Sequence, residues 1–195
     1  MKTFLWGNVG NNQKLIVPLR HQNTDIFSSY TDHSIDTMLN TFIGNIACRT
    51  DDKGRIFVPS IYRKVLQEMG SRHIIMRRDT DNSCLIFYPE SVWQKKVEDL
   101  KSVLDEWNAD DQLLLMQFMA DAEVLDTDTQ GRILLQKKTL EGIGANGDVL
   151  FVGMMDRFAL WSPDIYEAKR VPQKSLADKI REKFQNAREN KNEKQ

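Results

Sequence analysis

The chain restates part of itself. The stretch "NIACRTDDKGRIFVPSIY" in the first half is echoed by "AEVLDTDTQGRILLQKKT" in the second. Asp51-Asp52-Lys53-Gly54-Arg55-Ile56 aligns with Asp128-Thr129-Gln130-Gly131-Arg132-Ile133 at an offset of 77 residues. Further on, "FALWSPDIY" echoes "CLIFYPESV", with Pro163 over Pro89 at an offset of 74. A repeat of this kind constrains a fold strongly, because each copy must bury its apolar face against a like copy. Copies of about 45 residues are small for independent cores. The expectation is an α+β pair of modules packed on one another about a pseudo-twofold axis.

Each half reads strand, turn, strand, short helix, strand, strand, Pro, helix. "NIACRT" and "RIFVP" read as strands joined by the tip Asp51–Gly54, where Gly54 supplies the positive φ of a tight turn. Pro59 ends the second strand and opens a helix with Ser60 near its cap. "IYRKVLQEM" follows with helically spaced apolar residues. "RHIIMRR" and "CLIFYP" are two further strands. A helix is then expected from about Glu90 to Trp107, and a second from Asp110 to Met119 with "LLLMQFM" on its buried side. Residues 1–37 hold scattered polar residues without a sustained period, and they predict a poorly ordered extension with Met38 as an alternative start. The tail from 168 to 195 is basic on balance and mixes charge signs at helical spacing, the pattern of a solvated helix that frays.

The repeated pattern is Asp-x-x-Gly-Arg. An Asp at a turn start bonds the backbone two residues on, and the Gly permits the bend. The Arg leaves the turn on the first residue of the next strand. Its planar fork suits a phosphate, or the O6 and N7 of a guanine together. Asp51 and Asp128 stand close enough in sequence to orient Arg55 and Arg132. An Asp–Arg pair that only pins a hairpin competes with this reading. Two copies at matching places favour a shared working face over a shared pin.

The formal net charge of −1 excludes nucleic-acid coating by bulk attraction. Positive charge must therefore be local, and Arg49, Lys53, Arg55, Arg63 and Lys64 cluster against Asp51 and Asp52. Cys48 and Cys84 have no metal spacing and no disulfide framework, which predicts buried small residues in a reduced, cytoplasmic setting. The start holds only Phe4-Leu5-Trp6 as an apolar run, too short for a signal peptide, and no run is long enough for a membrane span. His21, His33 and His73 are scattered. No paired-acid motif, nucleophile–base motif or phosphate-cradling glycine loop is present, so neither an enzyme nor a cofactor, metal or small-molecule site is expected. Trp93, Trp107 and Trp161 are expected as core or subunit-interface anchors.

From about Phe42 to Arg170 the chain resembles the MraZ family of bacterial transcription regulators, which carry two AbrB-like (SpoVT-AbrB) modules with a D-x-x-x-R signature. Here those signatures are Asp51–Arg55 and Asp128–Arg132. "DDKGRIFVP" is similar to the family's D-S-K-G-R-[LI]-x-[IV]-P, and "CLIFYPESVW" to its C-L-x-[LI]-Y-P-x-x-x-W. "DTQGRIL" and "VGMMDRFALWSP" are similar to the matching second-half stretches. Departures are present: Phe42-Ile43-Gly44-Asn45 keeps only Phe and Gly of the usual opening, and Leu135-Gln136 stands where Ile-Pro is common.

The resemblance implies two swapped-hairpin, double-split β-barrel modules at 41–94 and 121–167, joined by linking helices at 95–120. It implies self-association into rings and binding to short direct repeats in the double-stranded DNA of the chain's own division and cell wall promoter, mainly as a repressor on the nucleoid. It implies Arg55 as the foremost DNA contact, with Lys53, Gly54, Arg132, Asp51 and Asp128 as the other site residues. Gln130 replaces Lys53 in the echo, so the first turn is expected to carry more of the contact. An antitoxin-like or oligomerising protein-interaction module is the competing function, since related swapped-hairpin modules serve those ends.

Overall fold

A computed structural model of the chain describes residues 41–192 apart from Thr80. The expected extension at 1–37 and the alternative start at Met38 lie outside the described residues. Strands β1 (Asn45–Arg49), β2 (Arg55–Phe57), β3 (His73–Asp79) and β4 (Cys84–Pro89) belong to the first half. Strands β5 (Ala122–Asp126), β6 (Arg132–Leu134), β7 (Asp148–Gly153) and β8 (Phe158–Trp161) belong to the second. The helices are α1 (Ser60–Glu68), α2 (Glu90–Lys101), α3 (Ala109–Ala120), α4 (Lys137–Gly142), α5 (Pro163–Lys169) and α6 (Gln173–Asn192). The α+β class follows.

The strands form a six-stranded sheet in the order β1-β7-β8-β4-β3-β5 and a separate two-stranded ribbon of β2 and β6. Every strand pair is antiparallel. Exchanging the two halves, β1 for β5 and so on, turns this order into its own reverse. The repeat in sequence is thus a twofold relation in topology. β1 does not pair with β2. It runs against β7 of the other half, from Asn45↔Val152 to Arg49↔Asp148. Sharing strands in this way lets two segments that are too small alone bury one common core.

The core sits between sheet and ribbon. Ile56 and Ile133 are fully buried and face one another across the ribbon. Phe87 and Phe158 pair across β4 and β8 and stack with ring centroids 5.1 Å apart. Phe42, Tyr62 and Phe151 complete the aromatic cluster, and the Tyr62 hydroxyl donates to the Gly44 carbonyl at 3.1 Å. Buried rings of this kind contribute both area and edge-to-face or offset contacts. Cys84 is buried, and burial pushes its thiol up to about 12; Cys48 is half-buried.

The single helix expected from Glu90 to Trp107 ends early, at Lys101. Local polar bonds compete with helix continuation there. The Asp105 carboxylate accepts the Trp107 N–H at 2.9 Å, and Asn108 caps α3 by accepting from Asp110 and Asp111 at 2.9 and 3.2 Å. Trp107 is left 91% exposed and takes no part in the core of the chain. Trp93 does pack, stacked on Phe118 at 5.3 Å and against Tyr88 at 5.6 Å. The apolar run on α3 is not buried within the chain: Leu113, Leu114, Met116 and Met119 are exposed. No helix among the described residues is long and apolar enough to cross a membrane.

Candidate nucleic-acid interface

The two turns are built from the same bonds. At the first, the Asp51 Oδ1 accepts the backbone N–H of Lys53 at 3.0 Å and of Arg55 at 2.8 Å. Its Oδ2 accepts the Arg55 Nε at 2.6 Å and lies 2.6 Å from Nη2. At the second, the Asp128 Oδ1 accepts from Gln130 at 2.9 Å and from Arg132 at 3.0 Å. Its Oδ2 accepts the Arg132 Nε at 2.8 Å, with Nη2 at 2.7 Å. Gly54 and Gly131 take the positive φ values the bend requires, +81° and +78°. A Cβ on Gly54 would collide with the Leu135 carbonyl, so only glycine fits there.

Each carboxylate is held ionised by its own arginine. The Arg55 side chain, then its backbone N–H, pulls Asp51 below the usual carboxylate range. The Arg132 backbone N–H, then its side chain, pulls Asp128 down to about 2. One edge of each guanidinium is spent on this lock. The N–H groups on its outer edge remain, oriented and short of the freedom a loose arginine would lose on binding.

The ribbon sets the relation between the turns. Arg55 lies opposite Leu134 and Phe57 opposite Arg132. With the Ile56–Ile133 pair turned into the core, Arg55, Phe57, Arg132 and Leu134 share the outward face. Phe57 and Leu134 are 53% and 59% exposed, and the Arg132 guanidinium carbon lies 5.6 Å from the Phe57 ring centroid. The two arginines sit diagonally, and the turns they leave lie at opposite ends of the ribbon. The Leu135 N–H bonds the Gly54 carbonyl, and the Val58 N–H bonds that of Gly131, each at 3.0 Å, so each turn is tied to the strand of the other half.

All six residues expected from sequence therefore fall into two matched groups, Asp51, Lys53, Gly54 and Arg55 at one end and Asp128 and Arg132 at the other. Phe57 and Leu134 were not singled out, although the alternation of Arg-Ile-Phe and Arg-Ile-Leu around a buried Ile was a visible signal. A cleft of about 460 Å³ lies between the first turn and α4, lined by Arg49, Lys53, Lys137 and Asn146 among others. Arg49 is drawn toward Asp148 at 3.3 Å on its wall. A ribbon with two forked arginines and basic flanks can approach a groove of a duplex.

The family model described as "MraZ protein, putative antitoxin-like" matches residues 118–189. A protein of Bacteroides thetaiotaomicron named transcriptional regulator MraZ is 42% identical over 123 residues, covering 63% of this chain and 79% of the relative. Proteins of the same name from Bacteroides fragilis and Phocaeicola vulgatus are each 36% identical over 141 residues. These alignments cover 72% of this chain and 89% and 92% of the two relatives.

Proposed function

Because the chain belongs to the MraZ family, we propose that it is a transcriptional regulator that binds double-stranded DNA with the outward face of the β2–β6 ribbon and its two turns. The observation that carries this reading is the matched pair of carboxylate-locked arginines, Arg55 and Arg132, on one exposed face. A pin would need only the Asp–backbone bonds. Locking the guanidinium as well is the expense of a group held ready for a ligand.

In this reading Arg55 and Arg132 address base edges and Lys53 addresses phosphate. Gly54, Asp51 and Asp128 act indirectly, by shaping the turns and aiming the arginines. Residues 41–94 and 121–167 are two AbrB-like swapped-hairpin modules of a double-split barrel, 95–120 joins them, and 168–195 is a basic tail. The operator is a set of short direct repeats in the promoter of the chain's own operon, where binding represses, and the protein is associated with the nucleoid. One ribbon makes a small contact. Several copies in a ring would engage spaced repeats together, raising affinity through effective concentration rather than new chemistry. This suits a chain whose net charge is −1.

The test is binding of the full chain to the duplex just upstream of its coding sequence, over a salt series. A steep fall with salt is expected, and Arg55→Ala should abolish specific binding while leaving fold and assembly intact. Wild-type binding by Arg55→Ala would sink the reading. A protein-interaction role, the antitoxin-like alternative, is favoured by one feature, the exposed stripe of Leu176, Ile180 and Phe184 on α6. It predicts no dependence on the turn arginines.

A further inference from the structure

We propose that Arg63, on α1 of the first half, is a DNA phosphate contact of the second turn and takes there the place that Lys53 holds at the first. The proposal rests on the reading of the turns as DNA-binding. Along the repeat, Lys53 aligns with uncharged Gln130, and Arg63 aligns with Leu140. The first half thus carries both cations and the second half neither. Because β2 runs antiparallel to β6, the chain leaving β2 enters α1 beside the opposite turn. Val58 donates to the Gly131 carbonyl at 3.0 Å, and the Val58 carbonyl in turn accepts the Arg63 Nε at 3.1 Å. The Arg63 side chain then lies over the second turn: a Cβ built on Gly131 would come within 2.5 Å of Arg63 Nη1 and 2.6 Å of its Cδ.

The charges around the two turns correspond. Arg55 and Arg132 are each neutralised by the aspartate of their own turn. Among the described residues Arg63 has no carboxylate partner, and its one hydrogen bond goes to a carbonyl, which removes no charge. The Lys53 ammonium likewise has no ion-pair partner among the described residues. Asp126, just before the second turn, is engaged with the His73 imidazole instead. So each turn carries one carboxylate-locked arginine and one unpaired cation, Lys53 from within the turn at the first and Arg63 from the other half at the second. The first turn also carries Asp52, so the second is no poorer in positive charge. Arg63 is anchored through Nε, which leaves its Nη groups for a phosphate oxygen on the flank of whatever Arg132 addresses.

The experiment is fluorescence anisotropy of the full chain with a labelled duplex of its own upstream DNA, from low to physiological salt. Arg63→Gln should lose about tenfold in affinity and lower the salt slope by about 1 per bound turn. Adding Gln130→Lys to Arg63→Gln should restore affinity and slope, because the cation is returned from within the second turn, at the position equivalent to Lys53. Unchanged binding by Arg63→Gln overturns the proposal. So does a loss that Gln130→Lys does not recover, which would mark Arg63 as scaffold. Arg55→Ala and Arg132→Ala separate the levels. If both bind like wild type, the DNA reading itself fails; if they lose binding while Arg63→Gln does not, only the role of Arg63 fails.

Discussion

Asp51 holds Arg55 at both ends of the residue. Its Oδ1 takes the Arg55 backbone N–H at 2.8 Å and its Oδ2 the side-chain Nε at 2.6 Å. One carboxylate therefore sets both where the strand begins and where its first side chain points. Asp51→Asn separates the two effects, since an amide oxygen still accepts from the backbone but the charge on the guanidinium is no longer met. Asp51→Asn should keep the turn and lose on the order of tenfold in DNA affinity, by anisotropy. Asp51→Ala should lose more, because the turn loosens as well.

The same lock has a pH signature. The Asp128 carboxyl falls from its ordinary 3.8 to about 2, and Asp51 is also lowered. A depressed folded-state value contributes stability above the unfolded value, which is lost as pH falls through the folded one. The turns should therefore be insensitive to pH above about 5 and loosen between about 4 and 2. Carboxylate titration by NMR checks this. An Asp128 midpoint at the ordinary value would show that the lock is absent in solution.

Ile56 and Ile133 are opposed across the ribbon and fully buried. Either change to Ala should cost about 2–4 kcal/mol in chemical denaturation. The double variant should cost less than the sum, since the two side chains line one space.

The two turn glycines should not respond alike. Gly54→Ala drives a Cβ into the Leu135 carbonyl, a backbone atom tied to Gly54 itself. For Gly131→Ala the three nearest atoms all belong to the Arg63 side chain, which can swing aside. Both pay about 1–2 kcal/mol for a left-handed alanine, and Gly54→Ala should pay more on top, seen as the lower melting temperature. Gly131→Ala should instead weaken DNA binding out of proportion to its stability loss, by displacing Arg63.

The exposed apolar residues of α3 bear on assembly. Leu114 and Met116 are exposed although the helix is rich in apolar residues. If copies of the chain cover this face, Leu114→Glu with Met116→Glu should lower the mass in sedimentation while the monomer keeps its circular dichroism spectrum. An unchanged mass would place the assembly surface elsewhere.

Much of the candidate site was legible because its bonds are local. The Asp-x-x-Gly-Arg turn closes within five residues, so the Asp lock and the glycine φ are properties of the segment, and repeating the segment repeats the site. The outward turn of Phe57 and Leu134 was likewise implicit in strict alternation around Ile56 and Ile133. The break after Lys101 was not read, because apolar spacing continued to Trp107 while the Asp105 and Asn108 side chains took the backbone out of the helix.

What the tertiary structure decided is which half serves which turn. Nothing in either copy says that β1 must leave β2 for β7, or that β2 must pair with β6. That exchange is chosen by burial, since neither half closes a core alone. Its consequence is that Arg63 reaches Gly131, a contact between segments far apart in the chain with no local trace. The sequence alone therefore made the second turn look short of a cation, and the paired ribbon supplies one from the opposite half.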